Sequence, residues 1–458
     1  MPPLRIIWAM YFAVVAFPRK YRGNLVIGLV GLPVKVGRLV AAMPEQLIEQ
    51  HPLNDNTPTP LVDENNRSGY LGPWYVYVGV FTLSVLLFAC LVTFVDSDIT
   101  DHLKQVLKIN RGEADYPANF LFYWTTGVLV FFSTSKYAVT GVALLLLGTA
   151  VAGKYLITRQ ILARHAPKKL ADGQRLLTGT ALALLVSFSI PDPYLAIQLE
   201  QMYLGRIPST VWHNSTTIVL MPFAILLFWK QVAVLRSDAP VTGKQLAVIG
   251  GLVLLNVVIK PSFLFAYLPV TGLFLLARYQ SGRLKNFLAA YLPLLFGGAV
   301  ILLQYILIFE LQKGSFQAEE SGVSIGWPFS SYLSWVPAWY LPISLVISLM
   351  LPLATLMLYR EAVRYKPFTY SLALLGAGIL LSALVVETGP RAEHGNFFWQ
   401  NIICLYLNLM TIATFLLGRW RTDGPQSGRM RFLVLLFVLH AASGVLYIGK
   451  MLLTKSYF

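Results

Sequence analysis

The residues best suited to chemistry are three carboxylates and a histidine that directly follow one long apolar segment. Asp96, Asp98, Asp101 and His102 lie within the stretch DSDITDHLKQVLKINRGEADYP. Carboxylates at this spacing can bind a divalent cation, or one of them can accept a proton from an attacking hydroxyl. The alternative is that they are ordinary solvated loop acids and a helix cap.

The same stretch predicts a short helix that begins with Asp98 as its N-cap residue. Ile99, Leu103 and Val106 share one side of this helix at helical spacing. The opposite side carries polar residues, namely Asp98, Asp101, His102 and Gln105. We expect the helix to lie along a membrane surface with its apolar side down.

Three later loops carry further polar residues. The loop 191–212 and the residues just after it contain Glu200, His213 and Asn214, of which the imidazole and the amide can bond a hydroxyl-rich ligand. A lone histidine there is more often structural. Lys260 lies in the short turn 260–262, where it either snorkels to lipid headgroups or holds a phosphate.

The loop 387–396 is the densest polar cluster between two apolar segments. It contains Arg391, which can bind a phosphate through two nitrogens, and also Glu393 and His394.

The elements that position these residues are membrane spans. Of 458 residues, 56% are hydrophobic and 12% are charged, which is more apolar than a soluble domain. The apolar residues fall into eleven segments close to the length that crosses hydrocarbon. These segments are 72–95, 137–158, 176–190, 213–229, 246–260, 263–277, 287–309, 338–358, 369–386, 397–418 and 432–449. We therefore predict an all-α polytopic membrane protein of about eleven transmembrane helices.

The loops between these segments separate by charge. One set is rich in Lys and Arg and begins at Arg159, Lys230, Arg278, Arg360 and Arg419. The other set is more acidic and comprises 96–116, 191–212, 260–262, 310–337 and 387–396. The positive-inside rule puts the basic set in the cytoplasm and the acidic set on the periplasmic or extracellular face of the inner (plasma) membrane. We attribute the net charge of +15 to this topology and expect no nucleic acid partner.

Two regions do not fit the simple pattern of crossings. Residues 117–134 are apolar enough to cross, but a crossing would invert every later loop, so we predict a non-spanning helix packed against the bundle. Residues 1–70 are predicted to be an interfacial or cytoplasmic anchor and a polar linker, followed by the bundle at 71–458. Whether 4–17 and 24–43 cross stays open.

The order of these features resembles the GT-C class of integral-membrane glycosyltransferases. An apolar segment ends in an acidic outer loop, a surface helix and the aromatic segment PANFLFYW follow, and a bundle with short cytoplasmic loops comes next. The resemblance covers roughly residues 72–418. It implies a GT-C-like fold with non-spanning surface helices in the first outer loop, and sugar transfer from a polyprenyl-phosphate donor to a hydroxyl of a glycan or lipid acceptor.

The resemblance also assigns roles to the polar residues. Asp96 or Asp98 would be the general base of an inverting transfer, and of the two we prefer Asp96. Lys260 and Arg391 would bind the donor phosphate. The supporting or acceptor-binding residues would be Asp101, His102, Glu200, His213, Asn214, Glu393 and His394. A divalent metal, Mg²⁺ or Mn²⁺, held by Asp96 and Asp98 is left open.

Two other functions compete with glycosyl transfer. Polysaccharide polymerases and O-antigen ligases concentrate Arg and His in one long outer loop, whereas the longest outer loop here, 310–337, contains neither. A transporter would have ionisable residues at mid-membrane. The interiors of the predicted spans are nearly free of charge, so we rank transport last.

Overall fold

The computed structural model describes most of the chain after residue 71. The described residues are 72–166, 173–190, 192, 194–198, 201–203, 205–237, 239–278, 284–310, 322–326, 329, 333, 336–388, 395–424 and 426–457. The predicted N-terminal anchor and linker, 1–70, lie outside them.

The described residues form fourteen α-helices. In chain order these are α1 (Trp74–Phe94), α2 (Asp98–Asn110), α3 (Leu121–Leu129), α4 (Lys136–His165), α5 (Gln174–Val186), α6 (Ser215–Arg236), α7 (Gly243–Ile259), α8 (Ser262–Ala277), α9 (Leu284–Tyr305), α10 (Leu341–Ser348), α11 (Met350–Leu358), α12 (Lys366–Leu384), α13 (Trp399–Asp423) and α14 (Gly428–Thr454). Two four-residue strands, β1 (Gly322–Ile325) and β2 (Val385–Thr388), pair antiparallel.

The helical class of the fold is confirmed, and each of the eleven predicted segments contains a helix. Seven of the described helices are long and apolar enough to cross a membrane, namely α1, α4, α6, α9, α12, α13 and α14. Helices α10 and α11 together pass the same test but are bent by 67° at Leu349. Helices α5, α7 and α8 are apolar but shorter, with 13, 17 and 16 residues. The chain is a polytopic helical membrane protein, and eleven crossings stay a prediction.

Helix α13 is the centre of the bundle. Of its most apolar eighteen-residue window, 94% is buried, against 22% for α1 and for α9. It packs against α4, α8 and α12, and these contact α1, α6 and α9 in turn. Polar residues of α13 bond to neighbouring helices, as Asn408 does by donating to Ser371 of α12 at 3.0 Å. Such bonds satisfy amides that lipid could not.

The apolar region between α2 and α4 forms only one short helix. Helix α3 has nine residues, about 14 Å of helix, which is less than half of the hydrocarbon thickness. Phe131 and Phe132 then adopt positive φ angles of 51° and 53°, which ends the helix before α4 begins. The short length agrees with the predicted non-spanning helix.

Helix α2 is amphipathic as predicted, with one correction at its start. Ile99, Leu103 and Val106 are all buried. The N-cap residue is Ser97, with extended backbone angles, and Asp98 is the first helical residue. The prediction of Asp98 as N-cap is wrong because the helix begins one residue earlier than the acidic pattern suggested. The Asp98 side chain is therefore available to other elements.

The segment between α5 and α6, predicted as an outer loop, is packed against other elements. Helix α5 ends at Val186, and the described residues that follow are mostly buried, including Ser187, Asp192 and Arg206. Ser443 of α14 donates to the carbonyl of Ser189 at 2.5 Å. Irregular backbone inside a membrane protein is tolerated where protein covers it and supplies hydrogen bonds.

Candidate functional site

The start of α2 is joined to the start of α6. The backbone amide of Ile99 donates to the carbonyl of His213 at 3.1 Å. The side-chain amide of Asn214 donates to Oδ2 of Asp98 at 2.6 Å. These two bonds connect residues more than a hundred positions apart and fix a half-buried carboxylate at one end of the bundle.

Asn214 is also the N-cap residue of α6. Its Oδ1 accepts from the backbone amide of Thr217 at 2.9 Å, which satisfies one amide of the first helical turn. The same oxygen accepts from the hydroxyls of Thr216 and Thr217 at 3.0 Å and 2.8 Å. Because these donors fix the oxygen of the amide, its nitrogen is oriented toward Asp98.

Lys260 approaches Asn214 from the turn between α7 and α8. Its Nζ donates to Oδ1 of Asn214 at 3.2 Å and to the hydroxyl of Thr217 at 3.1 Å. It also lies 3.8 Å from the centre of the Trp399 ring, a cation–π contact worth up to about 2 kcal/mol when desolvated. The result is a chain of carboxylate, amide and ammonium, which we call the Asp98 cluster (Asp98, Asn214, Lys260).

Burial and the nearby carboxylate shift the pKa of Lys260 in opposite directions. The residue is 8% exposed, and this burial lowers the pKa of its ammonium from 10.5 to about 7, although the nearby Asp98 carboxylate favours the charged form. A buried ammonium is costly unless it is paired and hydrogen-bonded. The Asn214 amide and the Trp399 ring supply those contacts, and Asp98 supplies the countercharge.

Aromatic rings close the site beside the Asp98 cluster. The ring of His213 stacks on Tyr457 with 4.3 Å between centroids and 17° between planes, and it contacts Tyr203 edge-on at 4.7 Å. Burial lowers the pKa of His213 to about 4. Burial, reinforced by Asp98, raises the pKa of Tyr457 to about 12. His213 and Tyr457 are therefore a neutral pair at pH 7.

His102 faces the inner side of α2 rather than the surface. Its ring contacts those of Phe122 and Tyr123 in α3 at 6.1 Å and 5.6 Å. Its Nδ1 is buried and lacks a hydrogen-bond partner among the described residues. Burial lowers the pKa of His102 to about 4, against the attraction of Asp98. An imidazole in this state can donate or accept one hydrogen bond from a ligand.

The other two acidic residues of the first loop point to the surface. Asp96 is exposed. Asp101 is also exposed and accepts from Lys104 at 2.8 Å. Of the remaining predicted site residues, Glu200, Arg391, Glu393 and His394 lie outside the described residues. Glu387 and Asn396, from the same loop as the last three, are described. The side-chain amide of Asn396 donates to the Glu387 carboxylate at 2.6 Å.

The open question of a metal was tested against the residues present. In the part of the chain that the structure describes, no three His, Cys, Asp or Glu side chains form a group that could hold a metal ion. Asp98 is bonded to an amide and lies near an ammonium, and Asp101 is bonded to Lys104. Two of the described carboxylates of this loop are thus engaged by an amide and by lysine ammonium groups.

Several residues of the site carried no signal in the sequence. Thr217, Trp399 and Tyr457 lie within or near apolar segments. A threonine there is expected to be an ordinary helix residue, and an aromatic residue is expected to belong to the interfacial belt. Their role comes from contacts across the bundle. The contact between Trp399 and Lys260 joins distant positions, so only co-variation of these two positions among related sequences could have indicated it.

Comparison with protein-family models gives no match, and no curated protein is significantly similar to this chain.

Proposed function

We propose that the chain is a membrane-embedded glycosyltransferase that moves a sugar from a polyprenyl-phosphate donor to an acceptor hydroxyl of a glycan or lipid. One observation carries the proposal: the half-buried Asp98 carboxylate is held at 2.6 Å by Asn214, with the buried Lys260 ammonium behind it. A fixed carboxylate at the mouth of an apolar bundle suits a reaction between a lipid-borne donor and a hydroxyl.

Asp98 is the general base in this mechanism. Its carboxylate accepts the proton of the acceptor hydroxyl while that oxygen attacks the anomeric carbon of the donor. The bond between the anomeric carbon and the phosphate oxygen breaks, and polyprenyl phosphate leaves with the electron pair. Attack from the face opposite the leaving phosphate inverts the anomeric centre.

We prefer Asp98 to Asp96 as the base because of its surroundings. Asp98 is half-buried and oriented by Asn214, whereas Asp96 is exposed and has no side-chain hydrogen bond among the described contacts. A general base must be held within hydrogen-bonding reach of the proton it removes. An exposed carboxylate that samples many rotamers fulfils that condition poorly.

Positive charge for the donor phosphate comes from Lys260 in this proposal, with Arg391 as the second candidate. The three directions of the Lys260 ammonium are taken by Asn214, Thr217 and the Trp399 ring. A phosphate that reaches Lys260 therefore replaces Asn214 or Thr217 as its acceptor. The same replacement would release the Asn214 amide from Lys260. Donor binding would then alter the bond between Asn214 and Asp98.

The supporting roles follow from position. His102 and His213 both lie close enough to Asp98 to feel its charge and are neutral at pH 7, so they suit hydrogen bonding to acceptor hydroxyls. We place this end of the bundle on the periplasmic or extracellular face of the inner membrane, because the loops there are the acidic set. The product then belongs to the cell envelope.

Transport is the second candidate, and one observation favours it. Lys154 lies in the interior of α4 and is 4% exposed, although the predicted spans had appeared nearly free of charge. Ionisable residues inside spans often mark ion or substrate pathways. A polymerase or ligase has no comparable support, since loop 310–337 contains neither Arg nor His.

The deciding experiment uses purified full-length protein in nanodiscs with a panel of polyprenyl-phosphate sugars. Release of polyprenyl phosphate together with a glycosylated acceptor supports the proposal. Flux of a labelled solute across proteoliposomes without any such product contradicts it and supports transport.

A further inference from the structure

A single lysine lies buried in the interior of helix α4. Lys154 donates to the hydroxyl of Thr210 at 3.0 Å, and its ammonium lies 3.9 Å from the centre of the Tyr406 ring in α13. No carboxylate within ion-pair distance of Lys154 is found among the described residues. A threonine and a ring face stabilise a cation, but they do not neutralise it.

A small cavity borders this lysine. It has a volume of about 20 Å³, and its lining includes Lys154, Thr210, Trp212, Thr217 and Ile218. A cavity of this size can hold a water molecule or an ion of similar size. The polar side chains among its lining residues are one lysine, two threonines and one tryptophan.

The groups around the cavity favour negative charge. Trp212 is 4% exposed and its indole Nε1, a donor only, is buried without a partner among the described residues. Thr217 and Ile218 belong to the first turn of α6, where the helix dipole is positive. On its far side Thr217 accepts from Lys260, so a second ammonium adds its field.

From this arrangement we infer that the cavity is a binding site for a small monovalent anion, which neutralises Lys154 and is held by the hydroxyl of Thr210 and the indole N–H of Trp212. The ligand class is a halide-sized anion, because the cavity is too small for a phosphate with its four oxygens. Asp98 does not line the cavity, so the site is separate from the proposed catalytic carboxylate.

The site would fix α4 to the buried segment that leads into the Asp98 cluster. Thr210, Trp212 and Asn214 follow one another along that segment, and an anion between them and Lys154 would hold the segment against α4. Anion binding then stabilises the folded bundle, since a ligand that binds only the folded state raises its stability with the logarithm of the ligand concentration above Kd.

The test is the thermal unfolding of the full chain in nanodiscs in sodium chloride, bromide and gluconate at equal ionic strength. We expect the unfolding midpoint to rise with chloride and bromide and to keep rising with the logarithm of their concentration, whereas gluconate should give no such rise. Lys154→Met should weaken the halide response at least tenfold. Lys104→Met, at an exposed lysine of α2, is the matched control and should keep it.

Two further measurements test the inference if Lys154→Met does not fold. Thr210→Val should lower the apparent halide affinity several-fold while keeping the lysine. Bromide-soaked crystals should show an anomalous peak between Lys154 and Thr217. Equal midpoints in all three salts, an unchanged halide response in Lys154→Met, or density for water only would each overturn the inference.

Discussion

The side-chain amide of Asn214 donates to the Asp98 carboxylate at 2.6 Å, and this bond ties the surface helix α2 to the first turn of α6. Asn214 accepts from Lys260 on its other side. One amide thus caps a helix, orients a carboxylate and contacts a buried ammonium. Substitution at this residue should affect both stability and transfer.

Replacing Asn214 by alanine removes the helix cap and the bond to Asp98. We expect a loss of about 1 kcal/mol in the free energy of unfolding from the cap, and a fall in the transfer rate of at least tenfold. Thermal unfolding and the transfer assay measure the two effects. The matched control is Thr242→Ala, which removes the capping box of α7 away from the Asp98 cluster. Equal transfer rates in the two variants would contradict the positioning role.

Stability should fall when the pH drops from about 6.5 toward 4. The pKa of His213 is about 4 in the folded protein and 6.5 when the ring is exposed, so in this window the unfolded state binds more protons. The loss is at most about 1.4 kcal/mol for each pH unit. Chemical denaturation at several pH values measures it. His213→Phe keeps a ring against Tyr457 and should make the slope shallower, and an unchanged slope would disprove the assignment.

Tyr457 should act through its ring more than through its hydroxyl. Tyr457→Phe preserves the stack on His213 and is expected to keep the transfer rate within about threefold. Tyr457→Ala leaves His213 unsupported and should raise KM for the acceptor while the fold persists. Steady-state kinetics with varied acceptor distinguishes them, with Tyr137→Ala, at an 89% exposed tyrosine, as the control. Identical KM values for the alanine variant and wild type would exclude a role in the site.

The close contact between α14 and the end of α5 should tolerate no side chain at Gly444. A Cβ atom there would overlap the carbonyl oxygen of Val186, whereas one at Gly449 meets nothing within 4 Å. Gly444→Ala is expected to cost about 1–3 kcal/mol, as other overpacking substitutions do. Gly449→Ala should be neutral in the same thermal unfolding experiment. Comparable midpoints for the two would mean that α14 lies further from α5.

The helices were predictable because their signal is local. A run of apolar residues long enough to cross hydrocarbon must be helical in a membrane, and each predicted run contains a helix. The burial of Ile99, Leu103 and Val106 follows from period 3.6 in the same way. The non-spanning segment at 117–134 was inferred from loop charge, and the nine residues of α3 agree with it.

The contacts within the site were not predictable because they join distant positions. Asn214 and Lys260 each appeared as separate polar residues near the end of an apolar segment, and nothing local indicated that one bonds the other. The burial of Asp192 and Arg206 was hidden for another reason. Helix α5 ends at Val186, four residues before the predicted apolar segment ends, and the polar segment that follows packs inside the bundle.

The central claim is that Asp98 is the base, and the transfer rates of Asp98→Asn and Asp96→Asn measured side by side test it most directly. Both variants remove one negative charge from the same loop. We predict that Asp98→Asn lowers the rate by roughly 10²–10⁴-fold, the usual contribution of general base catalysis, and that Asp96→Asn stays within a few fold of wild type. Full activity in Asp98→Asn, or a larger loss in Asp96→Asn, would contradict the account.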